Sequence, residues 1–270
     1  MLRHAAVAGQ FYKGSPDSLR KQVQAFTDPA AKKTKALGIV SPHAGLIYSG
    51  AVAGAVYSRI ELPNTLVLIG PNHTGLGTAV SLMSKGIWET PLGSVAIDEP
   101  LAASILAGSS RIREDSLAHL HEHSLEVQLP FIQYLKKDCK IVPIQMLDTR
   151  LDTCLEVGRA IGEAIISRGQ GAELPLVIAS SDMSHYEQAA VAKEKDFKAI
   201  QKILDLDPEG LYSVVKEYGI TMCGYGPAVA MLVACKLLGA TKAELVKYAN
   251  SGEVSGDYGQ VVGYAGIVVV

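Results

Sequence analysis

Residues 66–75 read LVLIGPNHTG, and this stretch decides the fold class. Its aliphatic opening runs without alternation, the pattern of a strand buried on both faces. Gly70 and Pro71 then end the strand, because Gly opens a turn and Pro cannot donate to a ladder. Asn72 and His73 follow at the carboxyl end, where open α/β sheets bind ligands. The same order recurs twice. Residues 37–40 run into Ser41-Pro42-His43-Ala44-Gly45, and residues 176–179 run into Ser180-Ser181-Asp182-Met183-Ser184-His185. Strands that each end in a histidine-bearing turn predict one shared site on the rim of a mostly parallel sheet.

The rest of the chain fits an α/β reading as one domain, residues 1–270. Ser15, Pro16 and Asp17 open a helix to about residue 27, with a capping hydroxyl, a first-turn proline and an acid near the positive dipole end. Ser49 is positioned to cap a second helix over 49–59, and the βαβ order that results implies a right-handed crossover. Residues 78–97 read as short strands in a hairpin excursion carrying Trp88. Helices are expected over 98–106, over 124–136 with a bend at Pro130, and over 151–167, before the Gly-rich link 169–171. Later helices are expected over 191–204, over 208–218 with Asp207 as cap, and over 227–238. Strands are expected over 140–146, 245–248 and 261–269. Residues 1–14 could dock as a sheet edge or as an arm across the site.

Composition excludes several classes. Hydrophobic residues make up 48% and charged residues 19% of the 270, enough for a large core and against disorder. A net charge of −2 with mixed signs leaves no footprint for nucleic acid. The four cysteines form no CxxC or zinc-ribbon spacing and read as reduced thiols, so the chain is expected to be cytoplasmic. Runs such as residues 263–270 are too short to span a bilayer, so no membrane role is expected.

Each candidate group has an ordinary alternative. His43 or His73 alone is most simply a hydrogen-bonded loop residue. On one rim together, two neutral imidazoles are the common beginning of a metal site. Asp182 could ligate a metal, orient a histidine or, like Ser181, cap a helix. His185 is a candidate acid or base. In His121-Glu122-His123 at most one imidazole is expected to face the site, and His123, nearer the next helix, is the one favoured. Glu126 reads as part of a cap begun at Ser124 or His123, and His119 and His4 as surface residues. Cys223 precedes an apolar helix, where the dipole would acidify it into a thiolate ligand or nucleophile. Otherwise it is a small buried residue, the reading taken for Cys139, Cys154 and Cys235. No GxSxG elbow, P-loop or GxGxxG motif is present, and Ser180 or Ser184 beside His185 does not make a hydrolase.

SPHAG with His43, GPNH with His73, EHSLEVQLPF with His123, SSDMSH with Asp182 and His185, and MCGYGP with Cys223 together resemble the Memo family. Its bacterial and archaeal members are called AmmeMemoRadiSam system protein B. The likeness extends from AGQFY at Ala8 to VGYAG ending at Gly266. It implies a single-domain αβα sandwich with a mostly parallel, mixed-edge central sheet, like the class III extradiol dioxygenases, which are non-haem Fe(II) enzymes. It also implies His43, His73 and Cys223 as ligands of Fe(II) or copper, with Asp182, His185 and His123 lining the same pocket.

Eukaryotic relatives are associated with redox-active metal and with phosphotyrosine peptides. Thr74 and Tyr225 depart from their pattern, which weakens transfer of the peptide role. The prokaryotic name implies radical-SAM and AMMECR-type partners. Two functions follow as expectations: metal-dependent redox activity on a small molecule, or a metal- or peptide-binding scaffold working with those partners. A metal-independent hydrolase ranks below both.

Overall fold

In the computed structural model, which describes residues 1–169 and 171–270, the run that begins at Leu66 lies inside a strand buried along its whole length. The Gly-rich link is described except for Gln170, which lies outside those residues. The chain opens with β1 (Leu2–Arg3), α1 (Pro16–Phe26), β2 (Gly38–Ser41), α2 (Leu46–Ser58) and β3 (Thr65–Pro71). The excursion that follows holds β4 (Val80–Leu82), β5 (Ile87–Thr90), β6 (Gly93–Ile97), α3 (Glu99–Ala107) and β7 (Arg113–Glu114). Then come α4 (Leu129–Leu135), β8 (Lys140–Met146), α5 (Leu151–Ile166), β9 (Leu176–Ser180) and β10 (His185–Glu187). The chain closes with α6 (Ala189–Leu204), α7 (Pro208–Glu217), α8 (Tyr225–Leu237), β11 (Ala243–Asn250), α9 (Gly252–Ser255) and β12 (Val261–Val269).

The strands form one sheet in the order β1-β5-β6-β8-β3-β9-β2-β12-β10, with β11 on the free side of β12. Its centre, β8-β3-β9-β2, is parallel throughout, and β12 runs antiparallel to β2. Every residue of β2, β3 and β9 is buried, as expected for strands covered on both faces. On one face α8 lies against β2, where Gly38 leaves room for Met231 and Cys235. On the other, α2 lies against β12, where Gly266 leaves room for Val52 and Val56. The result is the αβα sandwich expected from the resemblance. The three histidine-bearing strands are immediate neighbours, because β9 enters between β2 and β3.

Four local expectations are corrected. Ser15 stands at the cap position of α1, but its hydroxyl contacts Ser18 Oγ at 2.6 Å and, among the described residues, makes no cap bond. Helix α2 starts at Leu46 behind Gly45, so Ser49 is not its cap; its hydroxyl, inside the first turn, donates to the Ala44 carbonyl at 2.7 Å. Pro130 does not bend a longer helix. It sits in the first turn of α4, where its missing N–H costs nothing, after a separate 3-10 turn at Glu126–Gln128. Neither Ser181 nor Asp182 caps a helix, because β9 leads into β10 and α6 begins only at Ala189. Of the two placements expected for residues 1–14, the edge is seen, with β1 pairing with β5, and Phe11 of the following segment packs on His123. Among the described residues no helix is long and apolar enough to cross a membrane.

Candidate metal centre

The ends of β2 and β3 deliver His43 and His73, and the turn into α8 delivers Cys223. One donor atom from each lies within 4.8 Å of the others. His43 Nε2 and Cys223 Sγ are 3.4 Å apart. The turn is tight because Gly224 has no side chain: a Cβ there would stand 2.3 Å from the Ser180 carbonyl oxygen at the end of β9. This brings sulfur against the rim from a segment 180 residues away from His43 in sequence.

Both imidazoles are held from behind. His73 Nδ1 lies 3.0 Å from Glu122 Oε1, and His43 Nδ1 lies 2.9 Å from Ser180 Oγ. A ring that spends Nδ1–H on the protein presents Nε2 to an ion, the usual support for a ligating histidine. Burial, with His123 and His73 close by, holds His43 well below the ordinary imidazole pKa, so the ring is neutral and available as a donor. Burial would raise the carboxyl of Glu122. Its contacts with His73 and the Ser124 amide overcome that and hold it at about 2, so it is ionised. Two imidazoles and a sulfur form a donor set suited to a borderline or soft transition ion. The residues present therefore fit the metal that the resemblance implies.

His123 completes a triangle of rings, with centroids 4.7 Å from His73 and 5.5 Å from His43, and it packs on Phe11 at 4.6 Å. His73, Glu122 and His123 make a second group of convergent donors. His121 is exposed, so of the pair only His123 faces inward, as expected. Asp182 is buried beside the centre, but its carboxylate belongs to neither convergent group among the described residues. Its Oδ1 instead accepts the His43 amide at 2.8 Å and the Ala44 amide at 3.3 Å, tying the β2 turn to the β9 turn. His185 stands in β10 with Nδ1 donating to the Thr221 carbonyl at 2.9 Å, which leaves Nε2 as an acceptor.

Three expectations about single residues fail. Cys223 is not acidified by the helix that follows, because burial and then the charge of Asp182 push its thiol up. His119 is not a surface residue. It is fully buried, 5.7 Å from the Trp88 ring, with neither ring nitrogen partnered among the described residues, and burial and the Arg3 charge lower it to about 4. Glu126 makes no cap. It accepts from Arg3, from the Ala6 and Val7 amides and from the Tyr12 hydroxyl, and so anchors the N-terminal arm. His4 is exposed, as expected. Glu122, Ser180, Gln128 and Arg3 were not singled out from the sequence as supports of the site. For Glu122 a signal existed, a carboxylate flanked by His121 and His123.

Comparisons with known proteins identify the family. The family description "Memo-like protein" matches residues 3–268. A MEMO1 family protein of Methanothermobacter thermautotrophicus is 44% identical over 277 residues, covering 98% of this chain and 99% of that protein. A MEMO1 family protein of Methanosarcina barkeri is 46% identical over 270 residues, covering 99% of this chain and 100% of its own length. One from Aquifex aeolicus is 45% identical over 269 residues, covering 99% and 98% respectively. The chain belongs to the Memo family.

Proposed function

We propose that this chain is a metal-dependent redox protein in which His43, His73 and Cys223 hold one Fe(II) or copper ion. The observation that carries the reading is the convergence of those three donor atoms within 4.8 Å. An ion bound there would supply Lewis acidity and one-electron chemistry, with coordination positions left for substrate or oxygen. Ligation by Cys223 requires its thiol proton to leave. A thiolate in place of a carboxylate argues against plain ring cleavage as the reaction.

The chain's own groups supply positioning and proton transfer. His185, with Nδ1–H spent on Thr221, can take a substrate proton at Nε2. Asp182 holds the backbone that carries His43. His123 offers a neutral imidazole to charge that develops on a substrate oxygen; burial lowers its pKa and keeps it uncharged. Radical-SAM and AMMECR-type proteins are proposed partners on the strength of the resemblance alone, and co-purification with them tests that.

The direct test is anaerobic reconstitution with Fe(II) or Cu(I), followed by elemental analysis of the wild type, His43→Ala, His73→Ala and Cys223→Ser. One ion per chain, lost in each variant, is expected. Unchanged metal content in all three variants overturns the site. Oxygen uptake by the loaded protein with catechols, thiols or reductants is the second expectation. Its absence would turn the reading toward a binding scaffold.

A further inference from the structure

Hydrogen-bond accounting behind His43 determines more than its position. Four fully buried groups are involved, and solvent replaces none of them: Ser180, Gln128, the Ser124 carbonyl and the His43 ring. The chain of constraint begins at Gln128. Its side-chain nitrogen lies 3.0 Å from the Pro42 carbonyl and 3.3 Å from the Ser41 carbonyl, which can only accept. Its side-chain oxygen accepts the Tyr57 hydroxyl at 3.0 Å. The amide is therefore fixed with nitrogen toward the rim, since the flipped amide would set oxygen against two carbonyl oxygens. That nitrogen also donates to Ser180 Oγ at 2.8 Å.

Ser180 has one proton and two lone pairs. Its proton goes to the Ser124 carbonyl at 2.6 Å, which again can only accept. One lone pair takes the Gln128 N–H. The remaining contact, His43 Nδ1 at 2.9 Å, faces a lone pair, so the proton of that bond must belong to the imidazole. We infer that Gln128 and Ser180 are positioning residues that lock His43 as the Nδ1–H tautomer, which turns the Nε2 lone pair toward Cys223 before any ion arrives. The purpose of the lock rests on the metal-centre reading, whereas the tautomer itself does not. The opposite tautomer would place a proton on the nitrogen that faces the thiol and would leave two lone pairs in contact at Ser180.

His73 reaches the same end differently. Its Nδ1 faces an ionised carboxylate, which strengthens the ring as a donor. The two imidazoles are thus unequal, one backed by a charge and the other by a neutral relay.

The test reads the tautomer directly, in metal-free protein labelled with 15N at histidine, by two-bond proton–nitrogen correlation. Wild-type His43 is expected to show Nδ1–H, and Ser180→Thr to keep it. Ser180→Ala is expected to move His43 toward Nε2–H and to weaken Co(II) binding by about 10–100-fold in anaerobic titration. Gln128→Met removes one donor but leaves the Ser180 acceptor, so a smaller loss is expected, with both tautomers visible. If Ser180→Ala unfolds, the Gln128→Met spectrum still decides. Wild-type His43 as Nε2–H overturns the inference, and so does a tautomer indifferent to both substitutions. Wild-type protein that shows Nδ1–H but binds no Co(II) overturns the purpose assigned to the lock and, separately, counts against the metal centre.

Discussion

Glu122 and Glu126 lie four residues apart and are both fully buried, and among the described residues each carboxylate accepts four hydrogen bonds, yet they serve different parts of the molecule. Every donor to Glu126 comes from the N-terminal arm: Arg3, Ala6, Val7 and Tyr12. Every donor to the Glu122 carboxylate comes from His73 or from its own turn, at His123 and Ser124. Burial and the number of bonds are equal, so the identity of the donors separates a staple for the N-terminal arm from a support of His73, the proposed ligand. Arg3 connects the two, since it also donates to the backbone carbonyls of His119 and Glu122.

The largest expected effect breaks the staple. Glu126→Ala strands the Arg3 guanidinium in the core, and removing one partner of a buried pair costs about 3–5 kcal/mol. Urea titration should show the midpoint falling with little change in slope. A loss below about 1 kcal/mol, the range of surface pairs, would remove the distinction. Next comes Glu122→Gln, which keeps the shape but loses the charge behind His73. It is expected to lower metal affinity by about 10–100-fold, with a smaller loss of stability than Glu126→Ala. The reverse ranking in either readout would show that the two carboxylates have been assigned the wrong way round.

Acid provides a finer separation. His119 is held at about 4 when folded, below its unfolded value of about 6.5. The unfolded chain therefore binds the extra proton first, and stability falls as pH drops through that window. Glu122 is held at about 2, below its unfolded value of about 4.3. Its contribution is complete above the unfolded value and is lost as pH falls toward the folded one. Melting temperatures from pH 7 to pH 3 should decline in two stages; His119→Phe should lessen the first, to which the lowered His43 and His123 also contribute, and leave the second unchanged. The smallest effect is expected at His121→Ala, which removes an exposed imidazole next to Glu122. Stability should change by no more than about 0.5 kcal/mol, and metal content should not change. A larger change in either would extend the support for the site to His121.

The parts of this site that were legible in the sequence share a physical cause. Aliphatic runs that stop at Gly or Pro announce buried strands, and the polar residues after them must lie on the rim. His43, His73 and His185 could therefore be located without knowing any contact. Cys223 needed the resemblance, because nothing local places the end of one loop against strands far away in sequence. The supports were not legible for the same reason. Ser180 reaches His43 across 137 positions and Gln128 reaches Ser180 across 52, and neither leaves a local pattern. His119 was misjudged because polarity suggests exposure, whereas here the ring lies beside Trp88 and Arg3 with no partner for its nitrogens. Glu126 looked like a cap because capping is a local habit of that residue, while its actual donors are more than 110 residues upstream.

The position of β9 between β2 and β3 bears on how the protein is made. A chain emerging from the ribosome completes β2 and β3 long before β9 exists, and the two cannot pair with each other in the final sheet. Each therefore waits with an aliphatic, unpaired edge until residues 176–180 are available to fill the gap. Such long-range closure slows folding and exposes sticky edges meanwhile. The donor loops of His43 and His73 are spaced by that same late strand. A nascent chain can thus carry both histidines with no centre between them, and competence to take up metal should appear only after β9 has entered the sheet and Cys223, further along the chain, has been added.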